Sequence, residues 1–249
     1  MSMNKTGIDW CDMTWNPVTG CESRVCQYCY ARKIAERFKG SKAWPRGFEP
    51  TFHPERLNDP RKMKKSQTIF VCSMGELFGY WVPASWQNTI FTIARNYSRH
   101  TYIFLTKNPQ RMMQSVRSGF YGFGEKYYPS KIPENLWFGT TITSEHDIAD
   151  ERIEYLKAVP SENRFISFEP LLGDVPPLDL TGIKQVIIGA QTNPTVTPPY
   201  HSIQAICKEA DRVGAKVFFK DSLVPFMQTT DVIRRELAWP LNKSVEVQP

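Results

Sequence analysis

From residue 68 onward, short apolar runs rich in β-branched and aromatic residues alternate with segments of helical periodicity. The runs predict buried strands at 68–73, 101–106, 136–143, 164–168, 186–190 and 216–220. Helices are predicted over 84–97, from the Asn108–Pro109 cap to about Val116, over 145–158 and over 201–213. Strands that alternate with helices build βα units and a parallel sheet. Roughly six or seven such units fit a full or partial (βα) barrel of the TIM type better than an open doubly wound sheet. The pattern leaves the closure of the barrel undecided.

The length of the chain and the weak pattern near its C-terminus indicate the domain organisation. The 249 residues fit one large α/β domain of barrel size. We expect the barrel and its N-terminal loop to occupy residues 1–221 and a C-terminal appendage to occupy residues 222–249. Residues 118–133, which are rich in glycine and aromatic residues, are long enough to form a lid or a binding loop.

Composition narrows the class of protein. The hydrophobic fraction of 41% and the charged fraction of 22% are globular values. No apolar run of about eighteen residues and no signal-peptide pattern occur, so we expect a cytoplasmic protein with no membrane segment. The six cysteines do not form a secreted disulfide framework in a chain of this length. The net charge of +6 is compatible with an anionic partner, but a modest excess spread along the chain favours a merely basic surface.

Three cysteines lie within nine residues, as Cys21, Cys26 and Cys29, with the spacing C-x4-C-x2-C. A short loop with three thiolates can hold one face of an iron–sulfur cube and leave the fourth iron open for a substrate or cofactor. The alternative is a structural zinc site, which would need a remote fourth ligand from Cys72, Cys207 or a histidine. After Cys29, the residues Tyr30, Ile34 and Phe38 fall on one face of a predicted helix that ends near Gly40. The last cysteine is therefore expected at a helix N-terminus, whose positive end favours a thiolate.

Polar residues follow the predicted strands, where parallel α/β folds bind their ligands. They are Ser73, Glu76, Thr106, Lys107, Thr141, Thr143, Glu169, Gln191, Thr192, Lys220 and Asp221. Glu169 and Lys220 are the strongest candidates for catalytic residues, because each charge directly follows a buried run and a buried charge must be paired or used.

Motifs along most of the chain resemble a known family. They are TWNPVTGC, CQYCYA, IFVCSMGELF, FLTKNPQRM, WFGTTIT, FISFEPLLG, VIIGA and VFFK. This set, from about Thr6 to Asp221, resembles a phage-associated family of unknown function related to the radical S-adenosylmethionine (radical SAM) enzymes. The spore photoproduct lyase group is among the distant kin of that family.

The resemblance implies a radical SAM-like barrel, a 4Fe–4S cluster on Cys21, Cys26 and Cys29, and S-adenosylmethionine bound to the open iron. Reductive cleavage of the cofactor would give a 5′-deoxyadenosyl radical that abstracts hydrogen from an unknown substrate, with a nucleic-acid base or a nucleotide as one candidate. The reaction would be of lyase or oxidoreductase type, with an electron donor such as a flavodoxin or a ferredoxin.

The resemblance also assigns roles within the expected site. Tyr28 holds the aromatic position beside the adenine, and Ser73, Met74 and Glu76 belong to the segment that receives the amino group of the cofactor. The strand-end residues expected to complete the cofactor site are Thr106, Lys107, Thr141, Thr143 and Gln191.

Three departures from the family pattern bear on the substrate. The first cysteine gap has four residues, and Thr143 stands where the family tends to have a glutamate. Ala190-Gln191-Thr192 stands where the family tends to have Gly-Glu-Ser. These departures leave three alternatives. The protein acts on a changed substrate, it has lost its activity, or it is a non-catalytic module that an iron–sulfur cluster or zinc stabilises and that binds nucleic acid or protein.

Overall fold

The structure is a computed structural model that describes residues 3–23, 26–121, 132–149 and 151–242. Its strands are β1 (Asn4–Lys5), β2 (Met13–Trp15), β3 (Val18–Thr19), β4 (Thr51–Phe52), β5 (Thr68–Val71), β6 (Thr101–Thr106), β7 (Leu136–Thr141), β8 (Arg164–Phe168), β9 (Gln185–Ile188), β10 (Gln191–Thr192), β11 (Thr195–Val196) and β12 (Lys216–Phe219). Its α-helices are α1 (Tyr30–Arg37), α2 (Asp59–Lys62), α3 (Ala84–Asn96), α4 (Pro109–Tyr121), α5 (Glu145–Ala149), α6 (Arg152–Lys157) and α7 (Tyr200–Val213). Short 3₁₀ turns lie at Pro54–Arg56 and Asp221–Phe226.

The main sheet has the strand order β1-β2-β5-β6-β7-β8-β9-β12. Strand β1 pairs with β2 in the antiparallel direction, and the remaining seven strands are parallel to their neighbours. The parallel strands curl into a half-barrel with β1 and β12 as its edge strands, and residues 234–236 pair in the antiparallel direction along the outer edge of β12. The prediction of an α/β barrel of parallel strands is confirmed, in its partial form.

Alternate residues of each strand belong to two different cores. On β5, Ile69 and Val71 pack into a large core shared with the helices, whereas Phe70 packs into a smaller core. This alternation follows from the two-residue period of a strand. The smaller core occupies the other, concave face of the sheet, and both faces are apolar because helices cover one and the curled sheet encloses the other.

A segment near the C-terminus seals the concave face. Trp239 is buried there, packs edge-on against Trp137 and Phe165, and donates its indole N–H to the carbonyl of Trp10 at 2.9 Å. The division into residues 1–221 and 222–249 stays a prediction, and residues 243–249 lie outside the described residues. Within the described part, residues 234–242 pack onto the barrel rather than away from it.

Several element bounds differ from the sequence-based expectation. Strands β6 and β8 have the predicted bounds, but β2 was not predicted, because a run of three residues is too short to show a period. The predicted helix over 145–158 is two helices, and Glu151 adopts a left-handed backbone (φ 57°) between them. Helix α4 extends to Tyr121, and residues 122–131 of the predicted lid lie outside the described residues.

No helix in the described ranges is long and apolar enough to cross a membrane.

Candidate functional site

A contact between two glycines positions the cysteine loop beside the end of β5. Gly20 bridges Gly75, and the amide of Glu76 donates to the Gly20 carbonyl at 3.1 Å. A Cβ on Gly75 would lie 2.8 Å from the Gly20 carbonyl oxygen, and one on Gly20 would lie 2.3 Å from the carbonyl oxygen of Glu49. Gly20 also has a φ of +87°, which favours glycine. Neither position can therefore carry a side chain: one on Gly75 would strike Gly20, and one on Gly20 would strike Glu49. The Gly20–Gly75 contact brings the loop against the backbone of Glu76.

The three clustered cysteines are free, half-buried and line one cavity of about 460 Å³, here called the cysteine cavity. Cys29 caps helix α1, and its Sγ accepts a hydrogen bond from the backbone N–H of Arg32 at 3.4 Å, as predicted for a helix N-terminus. The pKa of the Cys21 thiol is raised to about 11, mainly by burial; a backbone hydrogen bond at Ser23 opposes this rise, and the nearby charges of Glu76, Cys26 and Cys29 add to it. The thiols are thus close enough to act on one another electrostatically.

The donor set fits an iron–sulfur cluster, since thiolates are the usual ligands of such clusters and all three open onto the same cavity. Within the described ranges, however, no three His, Cys, Asp or Glu side chains are gathered closely enough to hold a metal ion. The three thiols therefore match an iron–sulfur cluster in their chemistry and in the cavity that they share, but not in ligand geometry. Neither Cys72, which is buried in the main core, nor Cys207, which lies on α7, is among the residues that line this cavity.

Tyr28 lies in the cysteine cavity beside two cationic side chains. The ammonium group of Lys107 lies 5.8 Å from the centre of its ring, and Arg152 lines the same cavity. Burial raises the pKa of Tyr28 above its usual range, and the charge of Cys26 and a hydrogen bond to the Cys26 thiol add to this effect. Lys107 was predicted to belong to the site because it follows a predicted strand. Arg152 was not predicted, because it lies in a charged helical stretch and belongs to no recognised motif.

The carboxylate of Glu76 is fixed by residues at the end of β6 and by the backbone of its own loop after β5. Its Oε1 accepts from the Thr106 hydroxyl at 2.7 Å and from the Phe78 amide at 3.0 Å, and its Oε2 accepts from the Lys107 amide at 3.2 Å. Thr106 is buried and does not line the cysteine cavity, so its contribution to the site is the hydrogen bond that holds Glu76. Glu76 is held in one orientation, and a carboxylate has lone pairs left for a further donor.

Ser73 and Met74 are positioned by Asn16, which directly follows β2. The side-chain oxygen of Asn16 accepts from the Met74 amide at 2.9 Å and from the Ser73 hydroxyl at 3.3 Å. The hydroxyl of Tyr30 donates to the Ser73 carbonyl at 2.8 Å. Ser73 therefore lines the cysteine cavity, whereas Met74 packs against the helix α1 side of the loop.

Thr141 and Thr143 hold a charged pair next to the cavity. The amide and hydroxyl of Thr143 both donate to Asp147 Oδ2, at 2.6 and 2.7 Å. Asp147 also pairs with Arg152 at 2.7 Å, and the Arg152 guanidinium donates to the Thr141 carbonyl at 3.1 Å. A carboxylate thus lies beside Thr143, but it belongs to Asp147. The family motifs align residues at the same position, so they could not identify a carboxylate four positions later.

Glu169 and Lys220 form an ion pair across the ends of β8 and β12. Burial lowers the pKa of Lys220, but the Glu169 carboxylate raises it by more, so that its pKa lies above the ordinary value. Neither residue is among those that line the cysteine cavity. Gln191 lies on the small β10–β11 hairpin and donates to the Pro194 carbonyl at 2.8 Å, away from the cysteine cavity.

The model of the family described as "Protein of unknown function (DUF5131)" matches residues 5–230. The chain belongs to the DUF5131 family. No curated protein matches this DUF5131 member. Its association with phages stays a prediction.

Two solved structures share the fold of this DUF5131 member. Spore photoproduct lyase complexed with dinucleoside spore photoproduct superposes with a TM-score of 0.56 at 10% identity, over 88% of this chain and 79% of that chain. A cysteine-to-alanine mutant of the same lyase with dinucleoside spore photoproduct gives a TM-score of 0.52 at 10% identity, over the same shares of the two chains. At this identity the likeness concerns the fold alone, and it agrees with the partial α/β barrel of parallel strands that the sequence predicted.

Proposed function

We propose that this protein is a radical SAM enzyme that binds a 4Fe–4S cluster through Cys21, Cys26 and Cys29 and cleaves S-adenosylmethionine reductively. One observation carries the proposal: three thiols share a cavity with Tyr28 and Glu76 at the carboxyl ends of a half-barrel. The fold likeness to spore photoproduct lyase, a group among the distant kin of the family that the motifs resemble, supports it.

When bound, the cluster would supply one electron to the cofactor and so release a 5′-deoxyadenosyl radical for hydrogen abstraction. The protein residues would bind and orient. The fixed carboxylate of Glu76 would accept hydrogen bonds from the amino group of the cofactor. Tyr28 would contact its adenine, and the cations Lys107 and Arg152 would attract its carboxylate.

The ion pair of Glu169 and Lys220 lies outside the cysteine cavity, so we assign it to the substrate side of the reaction. The substrate class we favour is a nucleic-acid base or nucleotide, because the similar lyase structures hold a dinucleoside. The basic surface, with a net charge of +6, would also attract an acidic electron donor such as a flavodoxin or a ferredoxin. A cytoplasmic location is part of the proposal, because free thiols persist in a reducing compartment.

The test is anaerobic reconstitution with iron and sulfide, followed by metal analysis, electron paramagnetic resonance and a cleavage assay. We expect about four irons per chain, a reduced signal that changes on adding S-adenosylmethionine, and 5′-deoxyadenosine after reduction. Zinc in place of iron, or a cluster whose paramagnetic resonance signal does not change on adding the cofactor, would refute the proposed enzymatic activity. Either result would favour a binding module that a metal stabilises.

A further inference from the structure

A second, larger cavity lies beside residues that adjoin the two edge strands of the half-barrel. Its volume is about 880 Å³, within the usual range for small-molecule sites. Residues after β1 line one side of it and Lys220, after β12, lines another, so it lies between the two edge strands of the sheet. The amide of Asp221 donates to the Asp9 carboxylate at 3.3 Å across the same gap. We call this space the seam cavity.

The seam cavity has one apolar wall formed by helix α1. Tyr30, Ile34 and Phe38 line it and are 52%, 39% and 50% exposed, whereas Ala31 and Ala35 on the opposite face are buried. The sequence placed the three larger residues on one face of the helix, and the structure shows that this face points outward. Large apolar side chains exposed in a row along a cavity are typical of a ligand site.

The cations of the seam cavity are not all neutralised. Lys5 and Lys42 line it and are exposed, and no ion pair involves either lysine within the described ranges. By contrast, Lys220 is paired with Glu169, and the acidic Asp59 is paired with Lys62 at 2.9 Å. The cavity therefore combines aromatic surface with uncompensated positive charge.

The seam cavity and the cysteine cavity have two residues in common, Tyr30 and Ser73. The hydrogen bond from the Tyr30 hydroxyl to the Ser73 carbonyl closes the wall between them. A ligand in the seam cavity would therefore contact the same tyrosine that follows the last clustered cysteine.

We propose that the seam cavity binds a nucleotide, with its base stacked on Tyr30 or Phe38 and its phosphate facing Lys5 and Lys42. Aromatic faces beside a positive groove are the common means of binding single nucleotides and single strands. The assignment of this ligand as the substrate rests on the proposed function. Its binding to the seam cavity does not.

The test measures fluorescence anisotropy of a labelled oligothymidylate of about ten residues with the reconstituted protein, before any S-adenosylmethionine or reductant is added. Phe38→Leu keeps the apolar volume but removes the aromatic face, and should weaken binding at least about fivefold. Lys5→Gln combined with Lys42→Gln should weaken binding and lower the slope of log affinity against log salt by about one. The matched control is Lys208→Gln with Lys216→Gln, which removes the same charge from α7 and the opposite end of β12.

The competitors identify the source of the nucleotide. Displacement by free thymidine monophosphate indicates a free nucleotide, and displacement by longer strands alone indicates a nucleic acid. Equal binding by wild type, Phe38→Leu and the Lys5/Lys42 variant, displacement by decanoate but not by nucleotides, or no binding at all would overturn the inference. Binding without 5′-deoxyadenosine formation would instead refute the proposed function and leave the nucleotide site in place.

Discussion

Replacing Lys220 by Met should destabilise the protein, because it leaves the carboxylate of Glu169 without its ion-pair partner. The two side chains are 18% and 27% exposed, so water screens the pair only in part. Glu169→Gln removes the opposite charge and leaves the ammonium of Lys220 without its ion-pair partner. The double variant removes both charges, and we expect it to be more stable than the sum of the single effects implies.

The magnitude follows from the partial burial of the pair. Two unit charges in contact attract by about 4 kcal/mol at an effective dielectric constant of about 20. Incomplete desolvation and side-chain ordering offset roughly half of this attraction. We therefore expect a coupling energy of about 2 kcal/mol between Glu169 and Lys220. Lys220→Met alone should lower the free energy of unfolding by about 2–3 kcal/mol.

The assay is equilibrium urea unfolding of the wild type, both single variants and the double variant. The pKa of Lys220 is raised above its ordinary value of 10.5, so its contribution to stability is fully present below that value and is lost as the pH rises through the pKa in the folded protein. The difference in stability between wild type and Lys220→Met should shrink over that range. Two results would refute the ion pair as the reason these charges are tolerated. One is a coupling energy below about 0.5 kcal/mol, and the other is a stability difference between wild type and Lys220→Met that does not change with pH above 10.5.

The remaining predictions concern the cysteine loop and the C-terminal segment. Cys26→Ala should abolish iron binding and the brown absorbance of the reconstituted protein, whereas Cys207→Ala should retain both; bleaching of the latter would exclude a three-ligand site. Gly75→Ala pushes a methyl group against the backbone of the cysteine loop, and should reduce iron content while circular dichroism stays unchanged; full iron loading would show that the loop can shift. Trp239→Ala should lower the unfolding free energy by about 3–5 kcal/mol, against at most about 0.5 kcal/mol for Val232→Ala, which is 80% exposed. Equal urea midpoints for these two variants would mean that residues 222–242 form a separable appendage.

The βα order was predictable because each central strand is a continuous apolar run that local pattern alone identifies. Strand β6 at Thr101–Thr106 shows this, since its predicted and observed bounds agree. Strand β2 at Met13–Trp15 was not predictable, because its pairing with β5 depends on contacts more than fifty residues away. The closing of the concave face by Trp239 likewise depends on Trp10, at the other end of the chain.

The candidate site divides in the same way. The cysteine spacing and the polar strand ends named Cys21, Cys26, Cys29, Glu76 and Lys107, because parallel strands bring their carboxyl ends together. Gln191 was predicted at the same edge, because it follows a predicted strand. In the structure it lies on a short hairpin, and its side chain donates to the carbonyl of Pro194 in that hairpin.

By itself, the sequence determined the α/β class, the alternation of central strands and helices from residue 68 onward, and the cluster of three cysteines. These features depend on residue period and spacing along the chain, which local physical chemistry fixes. Only the tertiary structure decided that Arg152 and Asp147 join the site, and that Tyr30, Ile34 and Phe38 face a cavity rather than the core. The period of a helix defines its faces but does not say which one is buried. Small residues let α1 approach closely on the Ala31 and Ala35 side, where Trp44 and Phe48 cover it, and the larger apolar face stays exposed along the seam cavity.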